Sequence, residues 1–526
     1  MSLVGKFASV GGATMASRVL GFVREALIGA ALGAGPVADA FYAAFRFPNL
    51  FRRLFAEGAF NTAFIPLFAK ELEADGMNGA RRFAEEVLSV LVVALLVLSV
   101  IAIFFMPALV GTIVAPAFAD TPEKFDLTVL MTRIMFPYLF CMSLVAMLSG
   151  ILNSMRRYFL AAIVPVLLNV ILSVVLVAAL YAGVESRTTG IWLAWGVLAS
   201  GIAQLLFLIM GVGREGYSMG FRRPRMTPKV NRLLLLMGPA MLTGGVTQIN
   251  LLVGQIIASA QDGAIALLNY ADRINQLPLG VIGIAVGVVL LPELSRALKA
   301  GDEKDAQHLQ NRSLEFALGL TFPAAVGFLV MPGPIVSLLY ERGAFTEQTT
   351  QLTAAALAAF AAGLPAYVLI KVFSPGFFAR EDMKTPMWFS MIAVAVNIAG
   401  SLALFPFYGH VGLAAATSLS AWINVILLAA TLWRRDAFRP SPATLRRSGL
   451  IVFAGLVMGA ALWVLQVTLA PWLDGPLLVR LATVLGIIAA GAIVYFGIVI
   501  ATGALDGKQI AGMLRRRKVK GRLPGP

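Results

Sequence analysis

The chain has 526 residues, 59% of them hydrophobic and only 13% charged; an average soluble domain carries about 25% charged residues. Apolar runs of about 20 residues recur along the whole length and no polar stretch exceeds a short loop, which excludes a soluble globular enzyme and specifies a polytopic helical membrane protein. The net charge of +15 would point a soluble chain toward nucleic acid; here the basic residues sit between apolar spans, so they mark topology and no nucleic-acid partner is expected.

Fourteen spans are expected, at about 7–33, 37–69, 83–110, 128–152, 158–182, 190–212, 230–260, 264–298, 311–339, 350–378, 386–407, 411–433, 447–470 and 478–502. The first is read as retained, because Arg18 and Arg24 interrupt its apolar run and no clean cleavage site follows. The loops between spans alternate in charge. One set holds Lys70, Arg81 and Arg82, then Arg156 and Arg157, then the run from Arg214 to Arg232, and later Arg296, Arg380, Arg434 and Arg447. The other holds only Lys124, Arg187, Arg342 and Arg480. Positive loops stay in the cytoplasm, so both termini are expected there. The tail at 503–526 reads as a basic cytoplasmic anchor facing membrane lipids. The lone Cys141 reads as a small core residue, and His308 and His410 fall in loops without partners at ligand spacing, so no metal or other cofactor is expected.

Two halves of the chain echo each other with a shift of about 228 residues. Pro137 in "IMFPYLF" answers Pro365 in "AAGLPAYVL", and Asn169 and Ser173 answer Asn397 and Ser401. Each half would hold six helices. An even-membered repeat keeps its orientation, so a pseudo-twofold axis along the membrane normal is expected. The resulting division is an N-terminal lobe at 1–213, a basic linker at 214–229, a C-terminal lobe at 230–435 and two extra helices at 447–502.

The second span carries unusual charge. Asp39, Tyr42, Arg46, Asn49, Arg53 and Glu57 follow steps of three and four, which places them on one helix face. Arg52 flanks that face by about 100°, and Pro48 should kink the helix. Charges at mid-span are costly against lipid, so the stripe should line a hydrated cavity rather than only pair within its own helix. Arg18 and Arg24 on the first span, Asp272 and Arg273 on the eighth and Lys371 on the tenth would join it. Arg133 can reach the outer interface and reads as an anchor. A cavity rich in guanidinium groups favours an anionic substrate with phosphate-like groups, because each binds phosphate through paired hydrogen bonds.

The segments "SRVLGFVRE", "ADAFYAAFRFPNLFRRLFAEGAFNTAFIPLF" and "YADRINQLPLGVIGIAVGVVLLPELSR" resemble the MurJ (MviN) family of lipid II flippases, within the multidrug/oligosaccharidyl-lipid/polysaccharide exporters. The resemblance covers essentially the whole chain. It implies a bacterial inner-membrane transporter, not an enzyme, that moves the undecaprenyl-diphosphate-linked peptidoglycan precursor from the cytoplasmic to the periplasmic leaflet. By that resemblance Arg24, Arg52 and Arg273 lie closest to the diphosphate with Arg18 in support, while Asp39, Arg46, Asn49, Arg53, Glu57, Asp272 and Lys371 are supporting cavity residues. It implies a lipid-tail groove on the last two helices and allows contact with cell-wall synthesis proteins. Where family members often carry an acidic residue after "ADR", this chain has Asn275 and Gln276. The stripe's periodicity favours Arg53 as the phosphate contact, whereas the resemblance favours Arg52.

Alternating access through the cationic cavity is the expected mechanism, with the coupling ion left open. A cation antiporter of the same superfamily would need a carboxylate-rich cavity. A polyprenyl-diphosphate enzyme would need clustered carboxylates for Mg²⁺, and the best acidic cluster, "GDEKD" at 301–305, reads as a solvated loop.

Overall fold

The computed structural model describes residues 3–53, 60–217 and 220–504, with side chains placed except at 3–10, 240, 242–244 and 281–289. Among them there is no strand. The α-helices in order are α1 Leu3–Leu32, α2 Pro36–Phe51, α3 Asn61–Phe104, α4 Met106–Leu109, α5 Pro122–Met135, α6 Tyr138–Ser154, α7 Tyr158–Ala182, α8 Ser186–Arg214 and α9 Pro228–Ala258. They continue with α10 Ala264–Lys299, α11 Glu303–Val330, α12 Pro332–Tyr340, α13 Glu347–Ala361, α14 Leu364–Phe378, α15 Lys384–Arg434, α16 Pro442–Thr468, α17 Ala470–Leu473 and α18 Leu477–Ala501. Nine helical stretches among the described residues are long and apolar enough to cross a membrane. The chain is an all-α, multi-pass membrane protein.

Glycine and proline set the breaks. The 44 residues of α3 and the 51 of α15 would run about 66 and 76 Å at 1.5 Å per residue, twice a hydrocarbon core or more. Each is broken by one glycine in a conformation closed to other residues, Gly76 at φ 64° and Gly409 at φ 54°. Both breaks fall where one expected span ends and the next begins. Prolines interrupt three other expected spans. Pro137 precedes α6, Pro332 opens α12 and Pro365 sits in the first turn of α14, where a missing N–H removes no helical bond. The expected helix 37–69 is not continuous: α2 ends at Phe51 and Arg52–Arg53 adopt the wider π turn, just past Pro48, whose ring and lost donor disrupt α-helical pairing. Polar caps start the helices after the basic loops. Thr227 accepts from Val230 N at the head of α9, Asp302 from Asp305 N at α11 and Ser441 from Thr444 N at α16. The "GDEKD" run is thus exposed and caps a helix.

The chain divides into two compact units. The first comprises 1–270, 339–352 and 401–413, and the second 271–338, 353–400 and 414–526. In the first, α1 packs along α7, α7 along α8, and α2 against α5. α6 also packs on α8, where a Cβ on Gly201 would lie 2.7 Å from the Tyr138 ring, the close approach that lipid-embedded helices rely on. In the second, α11 packs on α14 and α16, and α16 on α18. Its core runs from Leu290 and Leu294 through Val372 and Phe377 to Leu428 and Leu432. A cavity of about 200 Å³ lies among α11, α16 and α18, lined by apolar side chains including Phe328, Met331, Met458, Leu462, Ile488 and Phe496.

Candidate functional site

The first unit gathers two polar nodes on α1 and α2. At the first, Arg24 is only 7% exposed. Its Nη2 donates to Glu25 Oε1 at 2.5 Å and its Nη1 to Asn169 Oδ1 on α7 at 2.9 Å. Asn169 is oriented by donating its own Nδ2 to the Ser17 carbonyl at 2.9 Å. Tyr42 on α2 donates to the other oxygen of Glu25 at 2.6 Å. Arg24 Nε is buried without an acceptor among the described residues, so the guanidinium keeps a donor that an anion could use. Gly21 on α1 faces the Asn169 amide of α7, 3.5 Å from where its Cβ would lie.

At the second node, Asp39 has no solvent exposure. Its Oδ2 accepts from Lys124 Nζ at 2.9 Å and from Gly263 N at 2.7 Å, and its Oδ1 accepts from Ala266 N at 3.0 Å. A residue of α2 thereby caps the N-terminus of α10, where unpaired N–H groups and the helix dipole favour a carboxylate. Lys124 also donates to Asp262 Oδ1 at 2.9 Å and lies 4.1 Å from the centre of the Phe118 ring. Tyr270 on α10 donates to the Gly33 carbonyl at 2.8 Å and meets Tyr42 edge to face, so an aromatic wall separates the two nodes.

Further along α2 the stripe opens out. Arg46 is half-buried and its Nη2 donates to Asn269 Oδ1 at 3.2 Å. Arg52 is half-buried and its Nε donates to Asn49 Oδ1 at 2.6 Å. Arg53 is exposed, as is Arg18 on α1, and Glu57 lies outside the described residues. Asp39 and Tyr42, one turn apart on α2, do not pair with each other; Tyr42 bonds to Glu25 on α1 and Asp39 to Lys124 on α5. In the second unit Asp272, Arg273 and Lys371 are half-buried, Gln276 donates to Asp272, and Asn275 is buried. Arg133 is exposed and its Nε donates to the Ile103 carbonyl at 3.1 Å.

Sequence reasoning missed Lys124, read as a loop charge, and Asn169, noticed only for the repeat. Their partners lie 85 and 145 residues away, and the one available signal was the isolation of a lone lysine in an acidic loop. His410, expected in a loop, sits at the break of α15, with its ring Nδ1 3.1 Å from Gln261 Nε2.

A family profile described as "Lipid II flippase MurJ" matches residues 28–483. The chain belongs to that family. A relative described as "Probable lipid II flippase MurJ" from Rhizobium meliloti (strain 1021) is 54% identical over 98% of this chain and 97% of its own length. Another with the same description, from Rhizobium tropici, is 52% identical over 100% of this chain and 98% of its own. A solved structure described as "Lipid II flippase MurJ, inward closed conformation" matches with a TM-score of 0.75 at 25% identity, over 93% of this chain and 99% of that one. An inward-facing multidrug transporter of the MATE family matches with a TM-score of 0.64 at 17% identity, over 80% of this chain and 94% of that one, a likeness of fold alone. Family membership makes this chain a transporter rather than an enzyme.

Proposed function

We infer that this chain is a lipid II flippase, moving the lipid-linked peptidoglycan precursor across the membrane from the cytoplasmic to the periplasmic leaflet. The observation that carries this is family membership along nearly the whole chain. The arginine-rich polar face of α1 and α2 supports it. A diphosphate crossing a low-dielectric region needs fixed positive charge, and guanidinium groups stay protonated and bind it through paired bonds.

In this reading Arg24, Arg52 and Arg273 hold the diphosphate, with Arg18 beside them. The spare Nε of Arg24 supports its place there. The half-burial of Arg52, against the exposure of Arg53, favours Arg52. Arg46, Asn49, Arg53, Glu57, Asp272 and Lys371 shape the polar surroundings, and Asp39 serves through its cap on α10. The polyprenyl tail lies in the apolar cavity of α11, α16 and α18, whose lining holds no charged side chain. Fourteen crossings with both termini in the cytoplasm follow from the alternation of loop charge and are supported by the breaks at Gly76 and Gly409. Two six-helix lobes are supported by Pro137 and Pro365 standing at equivalent helix interruptions. Binding must differ between inward-open and outward-open states for the cycle to turn.

The test is a leaflet-specific assay of lipid-linked precursor in cells depleted of this protein. Precursor should accumulate on the cytoplasmic side. Normal periplasmic exposure after depletion would overturn the reading.

A further inference from the structure

The turn between α9 and α10 grips three other elements through three consecutive residues, all within the first unit. Gln261 Oε1 accepts from the His410 backbone N at 2.7 Å. Asp262 accepts from Lys124 and Gly263 N donates to Asp39. At Gly263, with φ +78°, a Cβ would lie 2.6 Å from the Ala34 carbonyl oxygen. The turn therefore seats backbone against backbone, and glycine is required there.

Lys124 stands at the centre of this seat, 3% exposed. Its ammonium has three donors; one meets Asp39, one meets Asp262, and the third direction is taken by the Phe118 ring. The two carboxylates are unlike. The Asp39 side chain is 0% exposed and the Asp262 side chain 86% exposed. Water already solvates Asp262, whereas a fully buried carboxylate without a cation takes up a proton rather than stay charged. The other ionisable groups around Asp39 cannot supply that cation. Glu25 is separated from it by Tyr42 and Tyr270 and is itself acidic, Glu123 and Asp126 on α5 are exposed and acidic, and Glu185 and Arg187 at the head of α8 are exposed. His410 sits beyond Gln261, on the far side of the turn.

We propose that Lys124 is a positioning residue that lets the α9–α10 turn seat on the buried carboxylate of Asp39, with Asp262 engaging the same ammonium from the solvent side. This rests on the transporter reading, in which helices must part and reseat. Lys124 and Asp39 lie on α5 and α2, which pack together, so lifting the turn removes Asp262 and two backbone donors but leaves a neutral pair. The seat opens and closes without gaining or losing a proton.

The test uses the full chain in detergent and hydrogen exchange of the 259–267 segment, normalised to the intrinsic rate at pH 6.5 and 8.5. The unaltered chain and Lys124→Arg should be protected alike at both. Lys124→Met should be protected at the lower pH and lose protection as pH rises, by up to roughly tenfold per unit, the limit for one coupled proton. Lys124→Met with Asp39→Asn should be flat again, which separates Asp39 from His410 as the titrating group. Asp262→Asn should stay flat. A flat Lys124→Met, a pH dependence that survives Asp39→Asn, or a pH-dependent Asp262→Asn would each overturn the proposal. If Lys124→Met does not insert, a pH-dependent Lys124→Arg or Asp262→Asn still does so. Precursor movement is scored separately: a chain that moves none sinks the flippase reading and leaves the exchange results standing.

Discussion

The two ends of the polar face of α2 do different work with the same periodicity. At Asp39 and Tyr42 every polar atom is buried and bonded to another helix. Ten to fourteen residues on, Arg52 donates to Asn49 within the same helix and is half-buried, and Arg53 is exposed. The lesson is that a charged stripe in a membrane helix need not be one site. The buried end holds helices together, because leaving its charges unpaired is costly. The open end leaves its guanidinium groups half-buried or exposed, and it is there that the proposed function puts the substrate.

Substitutions should separate the two ends, and the largest effect is expected at the buried one. Asp39→Ala removes the cap on α10 and leaves Lys124 buried against a single exposed carboxylate. It should cost about 3–5 kcal/mol, seen as a large drop in the thermal unfolding midpoint in detergent. Arg24→Lys keeps the charge but cannot reach both Glu25 and Asn169 with a planar fork; precursor movement should fall at least tenfold, about 1.4 kcal/mol, with insertion intact. Tyr42→Phe withdraws one donor from Glu25 and should cost about 1–3 kcal/mol in the same unfolding assay. At the open end, Arg52→Gln should lower precursor movement while Arg53→Gln leaves stability within about 0.5 kcal/mol. Loss of movement in Arg53→Gln alone would reverse the assignment between them.

A further small effect belongs to a surface pair that calibrates the buried one. Arg435, with the Thr385 hydroxyl and amide, holds the Asp382 carboxyl down at about 2. A depressed carboxylate contributes stability above its unfolded value, near 3.8, and loses it as pH falls toward 2. Arg435→Gln should therefore destabilise by less than about 1 kcal/mol at pH 7, and its gap from the unaltered chain should close by pH 2. A gap that persists there would mean that Arg435 acts through packing on Phe377 rather than through charge.

The all-α, multi-pass character was legible because apolar length is a local property, and the gaps left between the expected spans at 69–83 and 407–411 contain the breaks at Gly76 and Gly409. The stripe on α2 was legible by periodicity as far as Phe51. Beyond that point Arg52–Arg53 turn in a wider helix, so the α periodicity no longer assigns their faces. Partners were not legible at all. Nothing in the spacing connects Asp39 to Lys124 or Arg24 to Asn169, since tertiary packing alone brings them together. The positive-inside pattern counted Lys124 as an outer-loop charge and could not show that it is buried.

The central claim is most directly tested by reconstitution. Purified chain in vesicles loaded with lipid-linked precursor in one leaflet should expose it in the other at a rate that rises with protein content, and Arg24→Lys should lower that rate at least tenfold. Exposure no faster than in protein-free vesicles, or unchanged by Arg24→Lys, would contradict the account.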